Sequence, residues 1–240
     1  MKQLKEKLKV ILWKRRVNSM IYFTSDWHFG HDKDFAWGGP RGCVSMADNT
    51  MKIVSNHNSI VTDEDDVYVL GDLMLGDYEY GLDAIKQMKG KLHIILGNHD
   101  TQKRIELYEQ LPNVVEITYA KLIKIGKQHY YLSHYPTFTA NYDDKPYHNH
   151  IINLYGHTHQ RDKFFTIGDP LYTEPNPFMY HVGVDSHNCY PISAEQISED
   201  IHNEVNRQYK LKVQREKEMK EYYENGLGYF ECHPLGEGIF

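Results

Sequence analysis

Side chains that can bind metal ions recur in this sequence directly after short apolar runs. The seven that could act as ligands are Asp26, His28, Asp72, Asn98, His134, His157 and His159. Imidazole nitrogens with carboxylate or amide oxygens, and no thiolate, suit manganese, iron, zinc, cobalt or nickel rather than calcium. Seven ligands are too many for one tetrahedral ion, whereas two ions that share a bridging carboxylate account for the number. The pattern therefore indicates a two-metal site and hydrolysis of a phosphoester.

Strand-like runs must position these side chains. The runs "MIYFTSDWH", "DDVYVLGD" and "KLHIILGNHD" each end in polar residues, and segments with helical periodicity lie between and after them. Alternation of strand and helix is typical of layered α/β folds. Because side chains at the carboxyl ends of neighbouring strands converge in such folds, we expect residues far apart in the sequence to meet in one crevice.

The second half of the chain predicts a mixed sheet. The run "VVEITYAKLIKIGKQHYYLSH" reads as two strands around Gly126 and Lys127, which favours a hairpin. Two further runs, "IINLYGHTH" and "FMYHVGVD", bring the strand candidates to seven. Ser193 and Gln196 form a capping-box pattern, which predicts a C-terminal helix from about residue 194. The predicted fold class is α/β, with two packed mixed β-sheets flanked by helices.

The order of the motifs resembles one known family. "DWH", "GD", "GNHD", "SHYP" and "GHTH", between Asp26 and His159, are similar to the DxH, GD, GNH(D/E), H and GHxH pattern of the calcineurin-like metallophosphoesterases. No member of the pattern is missing, and "VGVD" at residues 182–185 resembles a strand of small bacterial and phage members. The resemblance implies a four-layer αββα sandwich. It also implies two divalent transition-metal ions as cofactors, with Mn²⁺ favoured over Fe, Zn, Ni or Co.

The resemblance also implies a role for each matched residue. Asp26, His28, Asp72 and His159 would hold one metal ion, and Asp72, Asn98, His134 and His157 the other, so that Asp72 is the bridge. His99 would lie beside the phosphate, where it protonates the leaving alkoxide or stabilises charge on the phosphoryl oxygens. Asp100 would orient or support that imidazole, or alternatively act as a helix N-cap. Because a water that bridges two dications loses its proton near neutrality, the expected nucleophile is a metal-bridging hydroxide.

Two further residues are expected to contact the substrate. His31 lies one short turn after His28, and Arg41 lies in the glycine-rich segment "GGPRG", which could present a guanidinium group to phosphate. Each also has a plain alternative, since polar loop histidines and surface arginines are common in proteins. His31 and Arg41 are therefore secondary candidates.

Length and charge limit the domain organisation and the partners. Residues 20–240 are long enough for a single domain with one core, and residues 1–19 form a basic amphipathic extension with seven Lys or Arg against one Glu. The extension could bind a membrane surface or a partner, or be a frayed terminus. The net charge of −6 argues against an extended nucleic-acid surface. The sequence leaves the oligomeric state open.

Cysteine usage and hydropathy indicate the compartment. Cys43, Cys189 and Cys232 are odd in number and widely spaced, which favours reduced thiols over a disulfide framework or a metal knuckle. The longest apolar stretch near the start is too short for a signal peptide or a transmembrane segment. The expected location is the cytoplasm.

Three functions are compatible with these observations. The first is a phosphoesterase for a phosphodiester or phosphomonoester of small to moderate size, which could be nucleotide-like. The second is a metal-dependent nuclease on DNA or RNA, which the basic extension favours and the acidic body disfavours. The third is a catalytically silent binding or scaffold module on the same fold. Such a module usually lacks ligands or His99, whereas every position is filled here.

Overall fold

A computed structural model describes residues 19–139, 150–168 and 173–224. The predicted basic extension at residues 1–19 lies outside this part of the chain except for its last residue. The chain divides into two compact units, Met1–Glu199 and Asp200–Phe240. The single domain at residues 20–240 stays a prediction. Among the described residues, no helix combines the length and the apolar character that crossing a membrane requires.

The described residues contain ten strands and five α-helices. The strands are β1 (Ile21–Thr24), β2 (Asp66–Val69), β3 (Lys91–Ile95), β4 (Val114–Thr118), β5 (Ala120–Ile125), β6 (Gln128–Ser133), β7 (Ile152–Tyr155), β8 (Phe164–Phe165), β9 (Asn176–His181) and β10 (Ile192–Ser193). The helices are α1 (Asp34–Trp37), α2 (Met46–Ile60), α3 (Tyr78–Lys86), α4 (Gln102–Tyr108) and α5 (Ala194–Glu224). A short 3₁₀ turn covers Val184–Ser186.

The strands form two mixed five-stranded sheets. The first has the order β10-β1-β2-β3-β4, in which β1 to β4 are parallel and β10 pairs antiparallel with β1. The second has the order β5-β6-β7-β9-β8, with β6, β7 and β9 parallel and an antiparallel strand at each edge. Two mixed sheets with flanking helices confirm the predicted α/β fold class.

Alternate residues of the central strands face the helices or the second sheet. Val67 of β2 and Leu92 of β3 are fully buried in one apolar cluster that also contains Ile53 of α2. On the opposite face of the first sheet, the Phe23 ring lies 6.4 Å from the Tyr130 ring of β6. Side chains alternate across a strand, so one sheet can pack on helices and on another sheet at once.

The segment from Val114 to Ile125 differs from the single strand that its sequence predicts. It forms β4 in the first sheet and β5 in the second, and the chain changes sheets at Tyr119, which is 77% exposed. No glycine or proline lies at this break, so the usual turn signals are absent. The predicted hairpin around Gly126 and Lys127 is confirmed by the antiparallel pairing of β5 with β6.

Shortening one buried side chain should show how strongly the helix-facing cluster stabilises the fold. Leu92 is fully buried, so Leu92→Ala is expected to lower the free energy of unfolding by about 2–5 kcal/mol. Leu122→Ala is the matched control, because Leu122 is 56% exposed and should cost far less. Urea denaturation measures both values. Equal losses for the two variants would contradict the assigned core.

Candidate metal centre

The carboxyl ends of strands from both sheets meet at one place. Asp26 and Asn98 follow strands of the first sheet, and His134 and His157 follow strands of the second. The backbone N–H of His157 donates to Oδ2 of Asp26 at 3.0 Å. Nε2 of His134 lies 2.9 Å from Oδ1 of Asn98. The predicted ligands therefore converge, although their positions span most of the chain.

Asp26, His28 and His159 form the first cluster of possible metal ligands. Nε2 of His28 lies 3.2 Å from Nε2 of His159, and each nitrogen lies 3.8 Å from Oδ1 of Asp26. Metal bonds of about 2.0–2.2 Å place tetrahedral ligand atoms roughly 3–4 Å apart. The spacing of the three atoms therefore fits one ion.

Asp72, His134 and His157 form the second cluster, and Asn98 lies among them. Oδ1 of Asn98 is 2.9 Å from Nε2 of His134 and 3.0 Å from Nδ1 of His157. Oδ2 of Asp72 is 3.4 Å from Nε2 of His134. Nitrogen and oxygen donors without a thiolate are the set that suits divalent transition ions.

One carboxylate oxygen lies between the two clusters. Oδ2 of Asp72 is 3.6 Å from Nε2 of His28 in the first cluster and 3.4 Å from Nε2 of His134 in the second. The other oxygen, Oδ1, accepts a hydrogen bond from the backbone N–H of His99 at 2.9 Å. Asp72 thus lies near possible donor atoms of both clusters.

Hydrogen bonds fix the tautomers of two histidines. Nδ1 of His134 donates to the carbonyl of Leu70 at 2.8 Å, and Nδ1 of His159 donates to Oδ2 of Asp185 at 2.7 Å. When each ring is neutral, as a metal ligand must be, Nε2 is the lone-pair nitrogen that faces the cluster. Such bonds orient ligand imidazoles and raise their basicity.

The charges in the site favour a cation. Burial alone would raise the pKa of Asp72, but its hydrogen bond with His134 and the charge of that imidazole lower the pKa to about 2. Burial would likewise lower the pKa of His134, but Asp72 and Asp26 raise it to about 9. The clustered carboxylates therefore stabilise positive charge where the ligand atoms meet.

Most of the predicted ligands share an uncommon backbone conformation with positive φ. Seven non-glycine residues among the described ones have positive φ, and five of these are predicted ligands. These five are Asp26, His28, Asp72, His157 and His159, with φ between 49° and 67°. L-residues rarely adopt this left-handed conformation, and it persists where the surrounding structure imposes it, often at functional sites. The fold thus imposes a strained backbone at these five residues, which sets the direction of their side chains.

Motif glycines allow the strand ends to approach one another. A Cβ atom at Gly97 would lie 2.8 Å from the backbone nitrogen of Asp72 and 2.9 Å from Cε1 of His134. A Cβ atom at Gly156 would lie 2.8 Å from Cβ of Ser25 and would also overlap the Asp26 carboxylate. Only glycine leaves this space for the ligands.

His99 and His31 lie beside the clusters without joining either. The side chain of His99 is 39% exposed, and its Nε2 is 4.0 Å from Oδ2 of Asp72. The ring of His31 lies 6.0 Å from the ring of His28. Both residues line a cavity that also borders His28 and His159. This is where a substrate-binding residue is expected, although the roles of His99 and His31 stay predictions.

The position of Asp100 differs from both roles considered for it. Its Oδ2 accepts hydrogen bonds from the backbone N–H groups of Asp72 and Gly97, each at 2.8 Å. Thr101, not Asp100, is the N-cap of α4. Among the described residues no hydrogen bond joins Asp100 to the His99 imidazole. The carboxylate instead connects the turn after β2 with the turn after β3.

Arg41 does not lie where a substrate contact would need it. The residue is 2% exposed, and its Nε donates to Oδ1 of Asp185 at 2.8 Å. Its Nη2 donates to the carbonyl of Asp26 at 2.7 Å, and its Nη1 to that of Trp27 at 3.1 Å. The expectation of a phosphate contact therefore does not fit, because the guanidinium is buried and bonded within the protein.

Asp185 has a place in the site that the sequence alone does not reveal. It pairs with Arg41 and accepts the Nδ1–H bond of His159, so it connects the loop between α1 and α2 with the loop after β7. Burial opposes ionisation, but the bond from His159 and the charge of Arg41 hold the pKa of Asp185 well below its usual range. The only sequence signal is that Asp185 ends the apolar run "VGVD".

Similar proteins match most of this chain. A family model described as a calcineurin-like phosphoesterase superfamily domain matches residues 20–176. The gene 66 protein of Mycobacterium phage D29 is 29% identical over 200 residues, which are 72% of this chain and 92% of the phage protein. The uncharacterized protein MJ1445 of Methanocaldococcus jannaschii is 25% identical over 181 residues, 74% of this chain and 88% of that protein. The family match includes all seven predicted ligands.

A solved structure shares the fold. The protein of unknown function AQ665 from Aquifex aeolicus superimposes with a TM-score of 0.53 at 24% sequence identity. The match covers 76% of this chain and 99% of the Aquifex chain. The architecture of two sheets with flanking helices is therefore found in a solved protein of similar extent.

Removal of Asp185 should destabilise the protein strongly. Asp185→Ala leaves the buried Arg41 guanidinium without its carboxylate, and breaking a buried pair in this way costs about 3–5 kcal/mol. The control is Asp83→Ala, which breaks an exposed ion pair with Lys86 and should cost at most about 1 kcal/mol. Urea denaturation at pH 7 measures both free energies of unfolding.

The stabilisation that Asp185 provides should decrease at low pH. Because folding lowers its pKa, its contribution is complete at pH 7 and declines as the pH falls below the ordinary aspartate pKa of about 3.9. A cost for Asp185→Ala no larger than that for Asp83→Ala at pH 7 would contradict the buried ion pair.

Proposed function

Because the chain belongs to the calcineurin-like phosphoesterase superfamily, we propose that it is a dinuclear metal-dependent phosphoesterase that hydrolyses a small phosphodiester or phosphomonoester. The position of Asp72 is the observation that carries this proposal. Its Oδ2 lies within 3.6 Å of an imidazole nitrogen in each of two ligand clusters. Two adjacent cations that share a carboxylate are the arrangement used for in-line displacement at phosphorus.

The proposed ligand sets follow the two clusters. Asp26, His28, Asp72 and His159 hold one divalent ion, and Asp72, Asn98, His134 and His157 hold the other. The nitrogen and oxygen donors suit Mn²⁺ first, with Fe, Zn, Ni or Co as alternatives. When bound, two such ions would supply Lewis acidity at the phosphoryl group and lower the pKa of a coordinated water. Their charge also explains how a protein with a net charge of −6 can bind an anion.

His99 is the proposed catalytic histidine. Its backbone N–H is bonded to Asp72, while its half-exposed ring is 5.4 Å from the ring of His28 and points into the bordering cavity. From this position an imidazole N–H can reach a phosphate held at the clusters. It would then protonate the leaving alkoxide oxygen or donate a hydrogen bond to a phosphoryl oxygen. His31, farther along the same cavity, would contact the organic part of the substrate.

Three buried residues are proposed to position the ligands rather than to contact substrate. Asp100 accepts hydrogen bonds from the backbone N–H groups of Asp72 and Gly97. Arg41 holds the backbone carbonyl of Asp26, and Asp185 orients the imidazole of His159. Partners of this kind typically change metal affinity or activity by about 10–100-fold when they are removed.

Two substitutions should separate catalysis from metal binding. With Mn²⁺, the wild-type protein is expected to hydrolyse bis(4-nitrophenyl) phosphate and to stop when the metal is chelated. His99→Ala should keep two metal ions per chain and lose about 10²–10⁴-fold in kcat. Asp72→Ala should lose both the activity and at least one ion. Elemental analysis and absorbance at 400 nm, about the wavelength of released 4-nitrophenolate, measure these results.

A histidine outside the site provides the control. His129 is exposed on β6, so His129→Ala should keep wild-type activity and metal content. Unchanged metal content in Asp72→Ala would contradict the bridging role. A folded protein that binds two ions and turns over no member of a broad phosphoester panel would favour the scaffold alternative. Activity on oligonucleotides alone, with steep salt dependence, would favour the nuclease.

A further inference from the structure

A cavity of about 260 Å³ opens beside the first ligand cluster. His28, His99 and His159 form the wall that it shares with the site. Four of the other lining residues are apolar, and these are Phe35, Ala36, Pro40 and Leu75. A phosphate held at the clusters would therefore extend its organic group into an apolar space.

The size of the cavity suits one ring system. An apolar protein cavity of about 150 Å³ is large enough to bind benzene. A volume of about 260 Å³ leaves room for one ring with substituents or for a pair of fused rings. It is too small for several nucleotides of a polymer.

The charges around the cavity select against a second anionic group. The described residues that line it include no lysine or arginine. Arg41 is nearby in sequence, but its guanidinium is committed to Asp185 and to backbone carbonyls. The lining carboxylate of Asp185 is itself paired. Among the described lining residues, a further phosphate on the organic group would find histidines but no permanently charged cation, and burying an anion without one is costly.

The aromatic residues that line the cavity favour an aromatic ligand group. The ring of Phe35 meets the ring of His31 edge to face, with centroids 5.4 Å apart and planes at 83°. Phe35 is 72% exposed, so most of its ring is available for contact. Aromatic pairs gain affinity beyond the area that they bury, and a rigid ring loses little conformational freedom on binding.

We propose that this cavity binds the uncharged aromatic ring of the phosphoester substrate, with Phe35 and Leu75 as specificity-determining residues. The inference rests on the proposed phosphoesterase function, because the phosphate group must be held at the metal clusters for its ring to reach Phe35. The substrate class is thus an aryl or similarly ring-bearing monoester or diester without a second phosphate near the ring.

Two non-hydrolysable ligands test the inference without turnover. Methylphosphonate and phenylphosphonate carry the same anionic group, and only the second carries a ring. Calorimetric titration of the Mn²⁺-loaded full chain should show phenylphosphonate binding about tenfold more tightly, as expected for burying one ring. Binding of neither compound would contradict the proposed function itself. Equal binding of both would overturn the ring site and leave the metal site intact.

Substitutions in the cavity test whether it causes the preference for phenylphosphonate over methylphosphonate. Phe35→Ala should reduce the tenfold ratio to about twofold, because it removes the aromatic wall. Ala36→Phe should reduce the ratio in a second way, since the added ring occupies the space that the ligand needs. Tyr119→Ala is the control, because Tyr119 is also an exposed aromatic residue but does not line the cavity. A ratio that stays near tenfold in both cavity variants would overturn the proposal.

Discussion

The position of the Asp72 carboxylate is the constraint on which the rest of the site depends. It lies between the imidazoles of His28, which follows a strand of the first sheet, and His134, which follows a strand of the second. The residues around it must pack closely without steric overlap. A left-handed turn at Asp72 and the missing side chain at Gly97 make that approach sterically possible. Strained turns are stable only when other contacts impose them, so the surrounding hydrogen bonds are part of the site.

Two buried carboxylates, Asp100 and Asp185, supply these contacts. Asp100 accepts backbone N–H bonds from the turns after β2 and β3, and so fixes the spacing between Asp72 and Gly97. Asp185 pairs with Arg41, which bonds to the backbone of Asp26, and it also orients His159. Buried charges are costly unless each is paired and hydrogen-bonded. The contacts of Asp185 connect ligand turns of the two sheets, whereas those of Asp100 connect two turns of the first sheet.

The sequence predicts that the proposed ligands meet in space because they follow apolar strands, as Asp72 and Asn98 do. Because strand ends of a layered fold converge, the local pattern and the fold class together predict that these residues lie close to one another. The same reasoning could not find Asp185 or the true place of Arg41, because their pairing spans 144 residues and leaves no local pattern. The change of sheets at Tyr119 also leaves no local pattern, because no glycine or proline marks the break.

The central claim is that two cations lie side by side and share Asp72. Anomalous diffraction at the manganese edge from crystals of the Mn²⁺-loaded protein tests it most directly. The expected result is two peaks roughly 3.5–4 Å apart, one within bonding distance of His28 and the other of His134, with Oδ2 of Asp72 between them. A single peak, or peaks that do not contact Asp72, would contradict the account.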